Sequence, residues 1–121
     1  MGEKKYDLED RLLTYAADVI RLTDRFTRSR AGVHVADQLL RSGTSPLSNH
    51  GEAQAAESRD DFIHKMSICL KELRESLRWL RLVIHVPLVK DVTEATRVLS
   101  ETEQLVRIFK SSVRTAKDGK R

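Results

Sequence analysis

One apolar stripe dominates the middle of this 121-residue sequence and strongly favours a helical fold. Apolar side chains recur there at steps of three and four for about six turns, the period of one helix face. The stripe consists of Ile63, Met66, Leu70, Leu73, Leu77, Leu80 and Ile84. Ser58 is a predicted N-cap with Asp61 three residues on, and Pro87 disfavours the helical conformation at Val86. We therefore predict a helix over residues 59–85.

Three further segments show the same period, and their predicted bounds are residues 7–26, 33–57 and 89–116. Only 5% of the residues are aromatic, and few Gly and Pro interrupt a chain rich in helix formers. In the last segment, the predicted inward residues are Val92, Ala95, Leu99, Val106, Phe109 and Val113. Four such helices joined by short turns favour an all-α fold, an antiparallel up-down-up-down four-helix bundle. We predict one domain over residues 1–121.

The second predicted helix contains residues that weaken helices. Gly43, Pro46 and Gly51 lie inside its helical pattern. Pro46 has no N–H and its ring crowds the carbonyl of Ser42, so a helix bends or stops there. Alternatively, Ser45 is an N-cap and Pro46 is the first residue of a new, shorter helix. Local rules leave both alternatives open.

One face of the second helix carries short polar side chains, whereas solvated faces usually carry Lys and Glu. Its residues are Gln38, Arg41, Ser42, Ser45, Asn49, Glu52 and Ala56. Short side chains let another helix approach closely, and buried hydroxyls or amides then need partners. We predict a structural network that fixes helix register, in which Arg41 pairs with Glu52 or Glu57. An ordinary solvated face is the alternative.

Two ridges of basic side chains lie on the third and fourth helices, and the net charge of the chain is +4. The α3 ridge consists of Lys71, Arg74, Arg78 and Arg81, and the α4 ridge of Arg107, Lys110, Arg114 and Lys117. Such ridges can neutralise the phosphates of a nucleic acid. The alternative is ordinary solvation with local ion pairs, Lys71 to Glu75 and Glu103 to Arg107. Because no aromatics are interleaved, any binding should be weakly sequence-specific.

The first helix is apolar on two sides, and Trp79 lies off the main stripe of the third helix. The main stripe of the first helix contains Leu8, Leu12, Tyr15, Val19, Leu22 and Phe26, and its flanking surface contains Leu13, Ala16, Ala17 and Ile20. Trp is enriched at protein interfaces. We therefore predict self-association with Trp79 as an interface candidate, although Trp79 could instead mark the edge of a wide core.

Residues that commonly carry catalysis or bind metals form no recognisable pattern here. No Glu is followed by His three residues later, as di-iron bundles require, and no Gly-rich phosphate loop occurs. Zinc-type spacing is also missing from the four histidines, His34, His50, His64 and His85. Cys69 is the single cysteine, so neither an intramolecular disulfide nor a cysteine-based zinc site can form. We predict no catalytic, metal or cofactor residues; an enzyme with a pocket near Asn49, His50 and Glu52 is a minor alternative.

The sequence shows no membrane or secretory signal. The first ten residues lack an apolar h-region, and the longest uncharged apolar run, residues 82–89, is too short to span a bilayer. We predict a cytoplasmic protein that has no membrane partner.

Four segments of the chain can be compared with known families: DLEDRLLTYAADVIRL (7–22), QLLRSGTSPLSNHGEA (38–53), AESRDDFIHKMSICLKELRES (56–76) and WLRLV (79–83). Together they resemble a bacterial family of four-helix bundles, named for the protein encoded within intervening sequences of 23S ribosomal RNA genes. The most specific signature consists of Arg41, Ser42, Ser45, Asn49, Glu52, Ser58, Asp61 and Phe62. The resemblance covers nearly the whole chain in order.

The resemblance implies a bundle whose second helix runs, with a kink, through RSGTSPLSNHGEA, and it implies assembly into a homopentamer. A related branch contains accessory proteins of diversity-generating retroelements, which associate with a reverse transcriptase and nucleic acid. The family defines no catalytic residue. We therefore predict a non-enzymatic oligomer that binds RNA, DNA or a nucleic-acid enzyme such as a reverse transcriptase through its ridges. A protein-interaction scaffold with no nucleic-acid role is the alternative.

Overall fold

The structure, a computed structural model, describes the backbone of residues 3–119 and the side chains of residues 8–119. Residues 1, 2, 120 and 121 of the predicted domain lie outside the described residues. The helices are α1 (Glu3–Thr23), α2 (Arg30–Gln54), α3 (Arg59–His85) and α4 (Thr93–Lys117). Each helix packs closely against two neighbours in cyclic order, and the backbones of diagonally opposed helices stay farther apart within the described chain. The predicted four-helix bundle is confirmed.

The third helix has its predicted bounds, whereas α2 begins and ends earlier than predicted. Residues 27–32 were predicted as a turn, but the hydroxyl of Ser29 accepts the N–H of Gly32 at 3.0 Å and starts α2 at Arg30. A Cβ on Gly32 would collide with the carbonyl of Thr27, so this tight entry requires glycine. The prediction missed this cap because the residues around Ser29 are all polar, so the local sequence resembles an ordinary turn.

The first and fourth helices also differ from their predicted bounds. Phe26 lies beyond the end of α1 at Thr23 but is buried, so it belongs to the core without being helical. In the connection between α3 and α4, Leu88 and Val89 are likewise buried without being helical. The backbone N–H of Thr27 donates to the carbonyl of Leu88 at 2.8 Å, which joins the two connections. Apolar residues in these connections therefore resembled helix positions.

The second helix runs through Pro46 without interruption, so the alternative with Ser45 as the N-cap of a new helix is wrong. Proline removes one backbone hydrogen bond at this point, and the predicted kink stays a prediction. Close packing supports the helix on both sides. A Cβ on Gly43 would lie 2.9 Å from the methyl groups of Val19 in α1. From α3, the thiol of Cys69 donates to the carbonyl of Pro46, with 3.6 Å between sulfur and oxygen.

The core combines the predicted stripe of α1 with parts of the predicted stripes of α3 and α4. On α3 the predicted Ile63, Leu77 and Ile84 are only half-buried, and the buried residues include Cys69, Ser76 and Val83 instead. Leu12, Tyr15, Val19 and Leu22 are buried, as predicted. On α4 the buried residues are Ala95, Val98, Thr102, Leu105, Phe109 and Val113, whereas Leu99 and Val106 are only half-buried. The predicted α4 stripe was therefore partly wrong, because a buried threonine interrupts its apolar pattern.

Candidate functional site

A charged cluster joins the middle of α2 to α3. Arg41 donates to Glu72 Oε1 at 2.9 Å and also forms an ion pair with Glu75. The indole N–H of Trp79 donates to the same Glu75 oxygen at 3.0 Å. The predicted pairing of Arg41 with Glu52 or Glu57 is wrong, since α3 rather than α2 supplies both carboxylates. Glu52 instead faces Lys65 at 3.6 Å.

Beneath this cluster, one hydroxyl from each helix forms a buried polar layer. Ser42 of α2 and Ser76 of α3 lie 2.7 Å apart, as do Tyr15 of α1 and Thr102 of α4. The Ser76 hydroxyl also acts on Tyr15, which couples the two pairs. Burial raises the pKa of Tyr15 to about 12, although the Thr102 and Ser76 hydroxyls act in the opposite direction. The tyrosine therefore stays neutral, and the layer is structural.

The remaining signature residues have local roles. Asn49 donates its amide to the hydroxyl and the carbonyl of Ser45, both within α2. The Ser58 hydroxyl accepts the N–H of Asp61 at 3.1 Å, so the predicted N-cap of α3 is confirmed. The return bond differs from a capping box, because the Asp61 carboxylate accepts from the N–H of Glu57. The predicted single network is therefore divided into five separate groups of contacts, which are those of Arg41, of Ser42, of Ser45 with Asn49, of Glu52, and of Ser58 with Asp61.

The minor alternative, an enzyme, places a pocket near Asn49, His50 and Glu52 of α2. His50 is buried and its Nδ1 lies 2.9 Å from Glu9 of α1, while its ring meets Phe109 edge to face. Asn49 and Glu52 turn to other partners, as described above. The three side chains do not converge on a common point. Within residues 8–119, no group of His, Cys, Asp and Glu is arranged to hold a metal ion.

All eight ridge residues are exposed, and among the described ion pairs none includes them. The alternative local pairs are not formed: Glu75 binds Arg41 rather than Lys71, and no described pair joins Glu103 to Arg107. Within the α3 ridge, Arg78 donates to the carbonyl of Arg74 at 3.3 Å. The ridge cations thus remain available to an outside anion.

Comparison with known proteins identifies the family. The 23S rRNA-intervening sequence protein family matches residues 4–111. The chain belongs to that family. It is similar to a crystal structure, at 1.70 Å resolution, of a protein of unknown function from the S23 ribosomal protein family of Bacteroides thetaiotaomicron VPI-5482. The two sequences are 30% identical, the match covers 87% of this chain and 96% of that chain, and the TM-score is 0.79. No curated protein matches this sequence.

In this member of the 23S rRNA-intervening sequence protein family, Trp79 is neither sealed in the core nor free. It is half-buried, its N–H is bound to Glu75, and its ring meets His34 edge to face at 6.1 Å. Its role as an interface residue stays a prediction. Among the residues that the structure describes, no helix combines the length and apolarity needed to cross a bilayer.

Sequence reasoning missed Tyr15 and Thr102 as partners, and it missed Glu72 and Ser76 as the α3 side of the network. Ser76 had a usable signal, since it lies one heptad after Cys69 on the side of α3 that faces α2. Thr102 also lies one heptad before Phe109. Each is a small polar residue at a core position, where a buried partner is required.

Proposed function

We propose that this protein is a non-enzymatic oligomer of the bacterial cytoplasm that binds nucleic acid, or a nucleic-acid enzyme, through the α3 and α4 ridges. The observation that carries the proposal is that eight exposed cations make no ion pair within residues 8–119. Phosphate neutralisation and counterion release would supply the affinity.

The packing directions of α3 and α4 support one continuous basic surface. On α4, Arg97 and Glu101 face α1, and the ridge lies on the other side of the helix, towards α3. Arg59 at the start of α3 lies beside Gly119 beyond the end of α4, so the helices are antiparallel. The α4 ridge is therefore level with the first half of α3, and the α3 ridge follows it. Together they extend for about 30 Å, at 1.5 Å per helical residue.

The chemistry of this surface favours backbone binding over base recognition. Among the described aromatic residues, Tyr15, Phe26 and Phe109 are buried, and Phe62 and Trp79 pack against the core. Stacking platforms for bases are therefore missing from the described part of the ridges. We expect affinity for generic RNA or DNA that falls steeply with salt and depends little on sequence.

A salt titration with a charge-matched control tests the proposal. The α3-ridge variant reverses all four cations to Glu, and fluorescence anisotropy with a generic RNA and a generic DNA reports binding from low to high salt. The control makes the same charge change away from the ridges, at Arg21, Arg28, Arg30 and Lys90. We expect the ridge variant to lose most affinity and the salt slope to become shallower. Equal behaviour of both variants, or no binding at low salt, would contradict the proposal.

The alternative function, a protein-interaction scaffold, rests on the exposed apolar side chains. Leu13, Ile20, Val33, Leu40, Leu82 and Val86 are between 37% and 56% exposed. Such side chains favour protein contacts. A scaffold would co-purify with a protein and retain no nucleic acid, and the ratio of absorbance at 260 and 280 nm of the purified protein separates the two functions.

Self-association is a separate part of the proposal, and the family resemblance implies five copies. Light scattering at micromolar concentration would then give a mass five times that of the 13.8 kDa chain. A stable monomer would contradict it.

A further inference from the structure

A surface pocket of about 320 Å³ lies on the last two turns of α3. Three of its lining residues, Arg78, Arg81 and His85, carry N–H donors, and the fourth is Leu82. All four side chains are exposed. Ligand pockets in proteins measure about 300–1,000 Å³, so this one has room for a small group such as a phosphate with its sugar.

His85 extends the α3 ridge by one further turn. The ridge residues follow one another at steps of three, four and three, and His85 lies four residues after Arg81. Side chains at these steps share one side of a helix. Arg78, Arg81 and His85 can therefore direct their donors at one point from two consecutive turns. The predicted ridge did not include His85, because histidine was considered only as a catalytic or metal-binding residue.

The positive charge of this pocket is not compensated by neighbouring side chains. None of the ion pairs within residues 8–119 includes Arg78, Arg81 or His85, and no carboxylate in that range lines the pocket. Arg78 donates one N–H to the carbonyl of Arg74 at 3.3 Å and keeps the other N–H groups of its guanidinium. A site with these donors selects an anion that has several acceptor oxygens.

The end of α3 weakens an anion site here only slightly. The C-terminus of a helix carries partial negative charge on its unpaired carbonyls. In α3 the carbonyls of Leu82 and Val83 are paired, since they accept the N–H groups of Val86 and Leu88 at 3.1 and 2.8 Å. The pocket also lies on the side of the helix, where long arginine side chains extend away from the backbone.

The donors favour a terminal phosphate over a phosphate inside a strand. A phosphate monoester has three unshared oxygens and a charge of about −1.5 to −2 at pH 7. A phosphodiester has two unshared oxygens and one negative charge. Each guanidinium can bind two oxygens side by side, so Arg78 and Arg81 together can use the additional oxygen of a monoester. Leu82, which is 40% exposed, provides an apolar wall for the terminal sugar.

We propose that this pocket binds the terminal phosphate monoester of an RNA or DNA strand whose internal phosphates lie along the ridges. The inference rests on the proposed function and adds a preference for phosphorylated strand ends. The pocket lies at the end of the α3 ridge that is farther from the α4 ridge. A strand that follows both ridges and ends at this point would place its 5′- or 3′-phosphate in the pocket.

Competition against one labelled RNA tests the pocket. The unlabelled competitors share one sequence and carry a 5′-phosphate, a 3′-phosphate or hydroxyl groups at both ends, and fluorescence anisotropy gives their apparent affinities. A matching DNA set is measured in parallel. Hydrogen bonds to charged groups are strong enough for about tenfold tighter binding of a phosphorylated strand. The end that gains affinity identifies the phosphate that enters the pocket.

Two matched variants locate the effect. Arg81→Gln removes a cation that lines the pocket, whereas Arg74→Gln removes a cation of the same ridge outside it. Both side chains are exposed, and circular dichroism checks that both variants fold. We expect both variants to bind every strand more weakly. Only Arg81→Gln should lose the preference for a phosphorylated end, and Arg74→Gln should keep it at about tenfold.

The outcomes separate the pocket from the ridges. If nucleic acid binds but its ends make no difference, the inference is overturned while the proposed function stands. The same conclusion follows if Arg74→Gln loses the preference as fully as Arg81→Gln does, because the effect would then come from total charge. If no strand binds at low salt, the proposed function fails and the inference fails with it.

Discussion

The α2–α3 interface and the α1–α4 interface are both held by polar contacts, but those contacts lie at different depths. Ser42 and Ser76 are fully buried between α2 and α3, beneath the ion pairs of Arg41. The α1–α4 pair is the least closely packed of the four neighbouring pairs, and partly exposed ion pairs at Arg11 and Arg97 lie along it.

Depth changes what the same chemistry contributes. An exposed ion pair is screened by water and typically contributes about 0–1 kcal/mol. A buried hydroxyl that loses its partner costs about 1–3 kcal/mol, because the desolvated group is left unsatisfied. The α2–α3 interface should therefore open less readily than the α1–α4 interface. The firmest polar contact between α1 and α4 is the one between Tyr15 and Thr102.

The largest expected effect is alkaline destabilisation, which begins at α2–α3. Burial raises the pKa of Cys69 from 9.0 to about 12 and that of Tyr15 from 10.0 to about 12. The folded protein holds these protons more tightly than the unfolded chain, so stability is complete below the ordinary pKa values. It then falls by about 1.4 kcal/mol per pH unit for each group until pH approaches 12. Urea unfolding from pH 8 to 11.5 measures the loss.

Two variants separate the contribution of Cys69, at the α2–α3 interface, from that of Tyr15, at the α1–α4 interface. Cys69→Ala should remove the loss that starts at pH 9, and Tyr15→Phe the loss that starts at pH 10. Below pH 9 the difference between each variant and the wild type should be constant. A difference that stays constant up to pH 11.5 would contradict the raised pKa values.

The second prediction compares one hydroxyl from each interface. Ser76→Ala leaves Ser42 without its hydroxyl partner in α3, while Tyr15 keeps its bond to Thr102, and should lower the free energy of unfolding by about 2 kcal/mol. Thr102→Val preserves the side-chain shape, and Tyr15 stays beside the Ser76 hydroxyl, so we expect a loss of about 1 kcal/mol. Urea unfolding of both variants at pH 7 gives the two values.

A reversed order, with Thr102→Val the more damaging, would place the stronger polar link between α1 and α4. The double variant adds a check, because hydroxyls in one connected layer should show non-additive losses. Additive losses would mean that the two pairs act independently.

The sequence was most informative where apolar period and capping chemistry agreed. The α3 helix had both signals, and its bounds and its Ser58 cap were predicted correctly. Around Phe26 and Val89 the local pattern misled, because buried connections and helix faces can carry the same apolar residues. Pro46 could not be assigned by local rules, since packing from α1 and α3 decides whether a helix survives it.

The polar network was predicted in kind but not in its partners. The short polar face of α2 correctly indicated a close helix contact at Ser42. Its partners come from other helices, and sequence spacing describes only neighbours within one helix. Arg41 was therefore assigned to α2 carboxylates, although Glu72 lies at the same height on α3.

The third prediction compares the two arginines that join helices. Arg41→Met should cost about 1–2 kcal/mol, because Glu72 has only 12% of its side chain exposed and would lose its cation. Arg11→Met should cost under about 1 kcal/mol, since its partner Glu101 has 29% of its side chain exposed and can be solvated. Thermal unfolding at low salt measures both, and equal losses would contradict the difference in depth.

The smallest effect is the response to salt, and it should be confined to one interface. Raising sodium chloride to about 1 M shortens the Debye length to about 3 Å and weakens exposed ion pairs. Hydrogen exchange should then become faster in the facing segments of α1 and α4 around Arg11 and Arg97, by a few-fold, and stay unchanged around Ser42 and Ser76. An Arg11→Met, Arg97→Met double variant should show the fast exchange already at low salt and no further response. If the α2–α3 segments respond equally, the buried hydroxyls do not protect that interface, and depth is not what distinguishes the two.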